Sequence, residues 1–109
     1  MNQECIFCQI INKNKPAEFI HQGKDIVAFK DIKPYAPFHI LVVPKKHIRS
    51  INDLEEGDRA VISDLIFKAR EIAEELNFAR SGYKLVFNTE SGGGQFVFHL
   101  HLHLLGGWQ

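Results

Sequence analysis

The chain of 109 residues carries 13 Lys+Arg against 13 Asp+Glu, a formal charge of zero, and is 45% hydrophobic and 24% charged. That length predicts one domain, residues 1–109, with no room for a second core. The balance excludes a disordered chain, and the zero net charge excludes the broad basic field of non-specific nucleic-acid binding.

No run approaches the roughly 20 apolar residues needed to cross a bilayer, so no membrane partner is expected. The opening Met1-Asn2-Gln3-Glu4 has no basic stretch leading into an apolar one, the pattern of a secretory leader. Cys5 and Cys8 are too few and too close to form a disulfide framework. A reducing, cytoplasmic compartment is the expectation. Charge is distributed unevenly: residues 1–52 hold 8 basic and 4 acidic side chains, residues 53–77 hold 3 and 8, and residues 78–109 hold 2 and 1. The acidic block reads as the solvated face of a helix.

In chain order, Ile6, Phe7, Ile10 and Ile11 predict one or two helical turns that end before Pro16. Glu18–Gln22 and Asp25–Lys30 read as strands joined by a hairpin at Gly23-Lys24. Phe38–Val43 is a β-rich run closed by Pro44. Val61, Ile62, Leu65, Ile66, Ala69, Ile72, Ala73 and Leu76 recur at steps of three and four, which predicts a helix over Asp58–Asn77. Asn77 and Gly82 supply stop chemistry for it. Tyr83–Asn88 and Val97–Leu105 read as the last two strands, the final one stopped by Gly106-Gly107. Five strands, one long helix and one short helix, mostly without βαβ alternation, predict an α+β domain. Its antiparallel sheet is expected to bury one face under the long helix.

The most unusual segment is Phe98-His99-Leu100-His101-Leu102-His103-Leu104-Leu105. On a strand, alternation puts the three histidines on one face, about 6.5–7 Å apart, and the leucines on the other. Imidazoles in such a row suit metal binding or nucleophilic and acid–base chemistry, against the plainer reading of a polar face. Asn88-Thr89-Glu90-Ser91-Gly92-Gly93-Gly94-Gln95 precedes it, and its glycines allow backbone N–H groups to approach an anion.

Cys5-Ile6-Phe7-Cys8 leaves three readings open. A redox pair would follow a strand, but only four residues precede Cys5. A zinc site needs two further ligands, for which His47 and His99 are the candidates. An incidental pair is the third. His21 is assigned to the surface, and His39, after Pro37, is undecided by these patterns.

With these residues laid out, the whole chain resembles the histidine triad (HIT) superfamily, and within it the Hint branch of nucleotide-binding hydrolases. Residues 99–105 match its pattern His-φ-His-φ-His-φ-φ at every position, φ being apolar. Further matches are Cys5-Ile6-Phe7-Cys8, Phe29-Lys30-Asp31-Ile32, the run from His39 to Ile48, and Gly106-Gly107. The resemblance implies a HIT-like α+β fold, a homodimer, and purine nucleotide substrates cleaved at the α-phosphorus through a nucleotidyl-histidine intermediate. It implies His101 as nucleophile, oriented by the backbone carbonyl of His99, with His103 and His39 at the phosphate. Asn88 and the backbone of Gly94, Gln95 and Phe96 are implied around the phosphate or leaving group. Asp31 is implied at the ribose hydroxyls beside Ile32, and Ile6, Phe7, Ile10 and Phe29 around the purine. Structural zinc on Cys5, Cys8, His47 and His99 is implied too, with no catalytic metal. Phe96 stands where Hint relatives commonly carry Ser or Thr, so only its backbone N–H remains there. The functions that compete with a phosphoramidase are a Fhit-like dinucleoside polyphosphate hydrolase, a nucleotide-sensing adaptor and a zinc-dependent hydrolase.

Overall fold

The computed structural model describes residues 4–108. The expectation read from Met1, Asn2 and Gln3 falls outside these residues, as does Gln109. Helix α1 spans Ile6–Ile11, strands β1 and β2 span Phe19–Gln22 and Ile26–Lys30, and β3 spans Phe38–Pro44. Helix α2 spans Arg59–Glu75, followed by β4, Tyr83–Val86, and β5, Leu102–Gly106. The five strands form one sheet in the order β1-β2-β3-β5-β4, every neighbouring pair antiparallel. The expected α+β architecture is the one observed, with element ends differing by at most two residues except in β5.

Helix α2 forms because its apolar stripe can be buried. Leu65, Ala69, Ile72 and Ala73 pack on Ile40, Val42, Leu102 and Leu104 of the sheet. A 3₁₀ turn over Glu56–Asp58 leads into the helix, closed by a capping box in which the Glu55 amide donates to the Asp58 carboxylate. It stops as expected at Asn77, whose φ of 64° is left-handed. The amides of Asn77 and Phe78 donate back to the carbonyls of Glu74 and Ala73, closing the final turn.

The sheet is covered on both faces, not on one. Val27, Phe29, Leu41 and Val43 pack against Cys5, Phe7, Cys8 and Ile10 of the α1 region. This explains why every residue of β3 from His39 to Pro44 is buried: a strand covered on both sides reads as a continuous apolar run.

The last strand differs most from expectation. It begins at Leu102 rather than Val97, so only His103 of the three triad histidines lies on it. Upstream, the Gln95 amide holds the carbonyls of Arg49 and Val97, and the Leu100 amide donates to Ile48. These bonds tie residues 97–101 to the segment after β3 instead of to a strand ladder. The alternation survives the irregular backbone, because Leu100, Leu102 and Leu104 all enter the α2 core. Gly106 ends the strand where a Cβ would meet the Phe78 ring at 2.4 Å.

Candidate active site

Three irregular segments and the ends of β2, β3 and β5 converge on the α1 side of the sheet. They enclose a cavity of about 810 Å³. Ile6, Phe7, Ile10, Phe29, Asp31 and Ile32 line it, together with Asn88, Gly94, Phe96, His101 and His103. These are eleven of the twelve residues expected around a nucleotide. Phe7 and Phe29 meet edge to face with centroids 5.5 Å apart, which gives the cavity a rigid aromatic wall.

His101 sits beside that wall, its ring edge-to-face with Phe7 at 5.0 Å. Its Nδ1 lies 2.7 Å from the backbone oxygen of His99. A carbonyl can only accept, so we assign the proton to Nδ1, which leaves the Nε2 lone pair for the cavity. Burial pushes the imidazolium form of His101 down, while the bond to the His99 carbonyl acts in the opposite direction. His101 is therefore held neutral with one nitrogen available as a nucleophile.

His103 and His39 form a second unit. The Tyr35 amide reaches the Nδ1 of His39 at 3.4 Å, which makes that nitrogen an acceptor and puts the proton on Nε2. His39 Nε2 lies 2.9 Å from His103 Nδ1. His103 then carries its own proton on Nε2 and offers a donor to the cavity. Burial drives His103 down to about 4, helped by the neighbouring imidazoles of His101 and His39. His39 is lowered by burial and partly restored by Asp31, whose carboxylate stands 3.4 Å from its Nε2. The same carboxylate accepts the Lys33 amide at 2.8 Å, which fixes its orientation at the cavity edge.

His39 lies behind the cavity and not in its lining, where His103 separates it from the open space. Gln95 is not in the lining either. Its side chain accepts from the Glu90 amide at 2.8 Å and donates to the carbonyls of Arg49 and Val97. It is a brace for the glycine loop. The loop's backbone donors are also engaged: the Gly93 and Gln95 amides bond to the Glu90 carbonyl and the Gly94 amide to that of Ser91. The glycine nest expected to cradle an anion is thus closed on itself for Gly94 and Gln95. Asn88 Nδ2 donates one hydrogen to the Gly94 carbonyl at 3.3 Å and carries a second. Lys15, Lys33 and Tyr35 also line the cavity from outside the matched motifs, and Lys30 and Leu41 line it from within them.

A separate cluster joins Cys5, Cys8, His47 and His99, whose donor atoms all lie within 4.8 Å of one another. Cys5 caps α1 by accepting the Cys8 amide on Sγ at 3.3 Å. The i, i+3 spacing then brings both thiols to one side of the helix. Cys5 Sγ is 3.3 Å from His99 Nδ1, Cys8 Sγ is 3.3 Å from His47 Nδ1, and the two Nδ1 atoms are 3.1 Å apart. Tetrahedral zinc with bonds of about 2.0–2.3 Å spaces its donors by roughly 3.3–3.8 Å, so the set fits the ion. His99 Nε2 lies 2.8 Å from the Pro44 carbonyl, which places its proton there and turns the Nδ1 lone pair toward the thiols. His21 is half-buried against α2, with its pKa lowered by burial and then by Lys68.

Comparison with known proteins agrees with this architecture. The family model described as "Scavenger mRNA decapping enzyme C-term binding" matches residues 4–107. The purine nucleoside phosphoramidase of Escherichia coli K12 is 41% identical over 107 residues, covering 98% of this chain and 90% of that protein. A HIT family hydrolase structure from Legionella pneumophila superposes with a TM-score of 0.94 at 47% identity, covering 96% of this chain and 94% of that one. A zinc-bound histidine triad protein from Mycobacterium smegmatis superposes with a TM-score of 0.82 at 28% identity, covering 96% and 76%. The chain belongs to the histidine triad superfamily.

Proposed function

We propose that this protein hydrolyses conjugates of purine nucleoside 5′-monophosphates, phosphoramidates above all, through a nucleotidyl intermediate on His101. The observation that carries the reading is the 2.7 Å bond from His101 Nδ1 to the His99 carbonyl. It leaves Nε2 as a neutral nucleophile and gives the developing imidazolium an acceptor. The 41% identical E. coli relative bears the name purine nucleoside phosphoramidase.

The purine lies against Ile6, Phe7, Ile10 and Phe29, and Asp31 accepts from the ribose hydroxyls beside Ile32. His103 Nε2–H, Asn88 Nδ2 and the Phe96 amide donate to the phosphoryl oxygens. His101 Nε2 bonds to phosphorus as the P–N bond breaks, its electron pair passing to nitrogen. A water gives a proton to the departing amine, and the resulting hydroxide then attacks phosphorus. That second step frees His101 and releases the nucleoside monophosphate.

Zinc on the four Cys and His ligands supplies a structural cross-link. Among this chain's own residues, it is His99 that connects that cluster to the nucleophile, through its carbonyl. The exposed Ile66 and Phe67 of α2, and Leu85 on the edge strand β4, supply an apolar flank for homodimerisation. Leu85 pairs with Leu104 and so shares the α2 face of the sheet.

The test is hydrolysis of a fluorogenic adenosine phosphoramidate. The wild-type protein turns it over, and His101→Ala loses roughly 10³-fold or more in kcat, the scale of removing a covalent nucleophile. Equal rates would refute the reading.

A further inference from the structure

Glu90 has a backbone conformation that suits glycine. Its φ of 62° and ψ of 171° lie in a region that a side chain makes costly, and such an outlier persists only where its surroundings hold it. Lys13 and Asn77, the other non-glycine residues with positive φ among those described, follow helix ends, where left-handed backbone is ordinary. Glu90 instead stands at the start of the glycine loop, two residues after Asn88.

The conformation lets this one residue hold in two directions. Toward the loop, its amide donates to Gln95 Oε1 at 2.8 Å, and its carbonyl accepts the Gly93 and Gln95 amides at 3.0 and 3.1 Å. Away from the loop, its carboxylate Oε2 accepts from the Arg49 guanidinium and lies 2.9 Å from the Ser50 hydroxyl. Ser50 is fully buried, and Asp53 is a second acceptor for its proton at 3.0 Å. Arg49, and then Ser50, hold the Glu90 carboxyl below its ordinary value, so it is charged at neutral pH. The Arg49 carbonyl meanwhile accepts from the Gln95 side chain at 2.9 Å. Arg49 and Ser50 thus fasten both ends of the loop, Glu90 at one and Gln95 at the other.

Asn88 depends on that fastening. Its Nδ2 donates to the carbonyl of Gly94, the residue between the two whose amides Glu90 holds. A Cβ on Gly94 would come within 3.0 Å of Asn88 Nδ2, so the side-chain amide rests directly on the loop backbone. A shift of the loop therefore turns the Asn88 amide in the cavity wall that it lines.

We propose that Glu90 is a positioning residue: by gripping Arg49 and Ser50 it keeps the glycine loop closed and aims the second Asn88 Nδ2 hydrogen at the phosphoryl group. This deepens the function proposed above and rests on it for the phosphoryl contact. Glycine would fit the backbone better but has nothing with which to grip. Glu90 acts through Asn88 on the reacting phosphorus alone, since Phe7, Phe29 and Asp31 lie on or beside α1 and β2, away from the loop.

The experiment compares wild type, Glu90→Gly and Glu90→Gln by hydrolysis of the adenosine phosphoramidate, thermal unfolding, and NMR of the Gly93, Gln95 and Asn88 side-chain amides. Glu90→Gly relieves the backbone as it cuts the grip, so it is expected to fold. Its kcat is expected to fall about ten- to a hundredfold with KM changed less than about twofold, the mark of a contact made in the transition state. Exchange at the Gly93 and Gln95 amides is expected to accelerate by about tenfold or more, and the Asn88 side-chain signals to move. A single oxygen meets both partners, so Glu90→Gln, which keeps an oxygen there, is expected to hold kcat within about fivefold of wild type. Arg49→Ala cuts the grip from the other side and is expected to lower kcat likewise, again with KM unchanged.

A Glu90→Gly protein that melts earlier yet keeps the wild-type kcat has lost only structure, and overturns the proposal. Equal losses of kcat in the Gly and Gln variants, or a wild-type kcat in Arg49→Ala, overturn it too. If wild type hydrolyses no phosphoramidate, the function proposed above fails and the amide signals still decide. Signals altered in Glu90→Gly and restored in Glu90→Gln support the positioning role, and signals unchanged in Glu90→Gly overturn it.

Discussion

His99 and His101 are joined by one bond, from the His101 Nδ1 proton to the His99 carbonyl at 2.7 Å, while the His99 ring faces Cys5 at 3.3 Å. Two consecutive histidines of the motif thus have separate tasks. One belongs to the Cys–His cluster through its ring and to the active site through its backbone. The other presents its second nitrogen to the cavity.

Metal removal tests the first of these tasks. Chelation, or Cys8→Ser, is expected to lower the melting temperature markedly. A structural ion on four preformed ligands contributes several kcal/mol of folding free energy, and a domain of this size loses about 4–8 °C per kcal/mol. Metal analysis with thermal unfolding checks it. One zinc per chain should be lost in parallel with stability, and a melting temperature indifferent to chelation would contradict the assignment.

Acid should destabilise the protein through His103. Its folded-state value is depressed to about 4 from the ordinary 6.5, so between those two values the unfolded chain binds the extra proton. The contribution to stability is complete above about pH 6.5 and is lost as pH falls toward 4. Denaturant unfolding at several pH values in wild type and His103→Asn should show a shallower decline in the variant over that window. Identical slopes would contradict it, and the shared zinc cluster cancels in the comparison.

Gly106→Ala is expected to cost about 1–3 kcal/mol, because a Cβ there would lie 2.4 Å from the Phe78 ring and the core must shift. Phe78 is itself stacked on Phe38 at 4.8 Å, so the ring has no free direction to move. Denaturant titration measures the loss. Adding Phe78→Leu should make the Gly106→Ala change less damaging than it is alone.

Gln95→Ala should destabilise by about 1–3 kcal/mol, the cost of stranding buried polar partners. It removes the acceptor for the Glu90 amide and the donors to Arg49 and Val97. The same loop leads into His99, so kcat should fall as well. Equilibrium unfolding and steady-state kinetics read the two effects, and an unchanged stability would show that Gln95 is no brace.

Much of this was legible in the sequence. Strict alternation of His and Leu over 99–104 marks the two faces even though the backbone at His99 and His101 is irregular, because the leucines still have to reach the α2 core. The C-x-x-C pair left zinc as one of three readings, and the His47 and His99 named for that reading do meet both thiols. Other features had no local signal. Burial of the second sheet face depends on α1 folding back over β2 and β3, which its short apolar pattern does not declare. Triple glycine reads as an anion nest, yet the Glu90 carbonyl takes two of its neighbouring amides. Tyr35 sits in a turn between Pro34 and Pro37 and enters the site through tertiary contacts with His39 and His103. Gln95 looks like a loop polar residue, and only the partners it finds on Arg49, Val97 and Glu90 reveal its work.

The central claim is that phosphorus is transferred to His101 before it reaches water, and the stereochemical course at phosphorus tests it most directly. A phosphoramidate made chiral with sulfur and hydrolysed in oxygen-18 water undergoes two in-line displacements on this account, so the product retains configuration at phosphorus. Inversion would mean that water attacks the substrate directly, and would contradict a nucleotidyl-histidine intermediate.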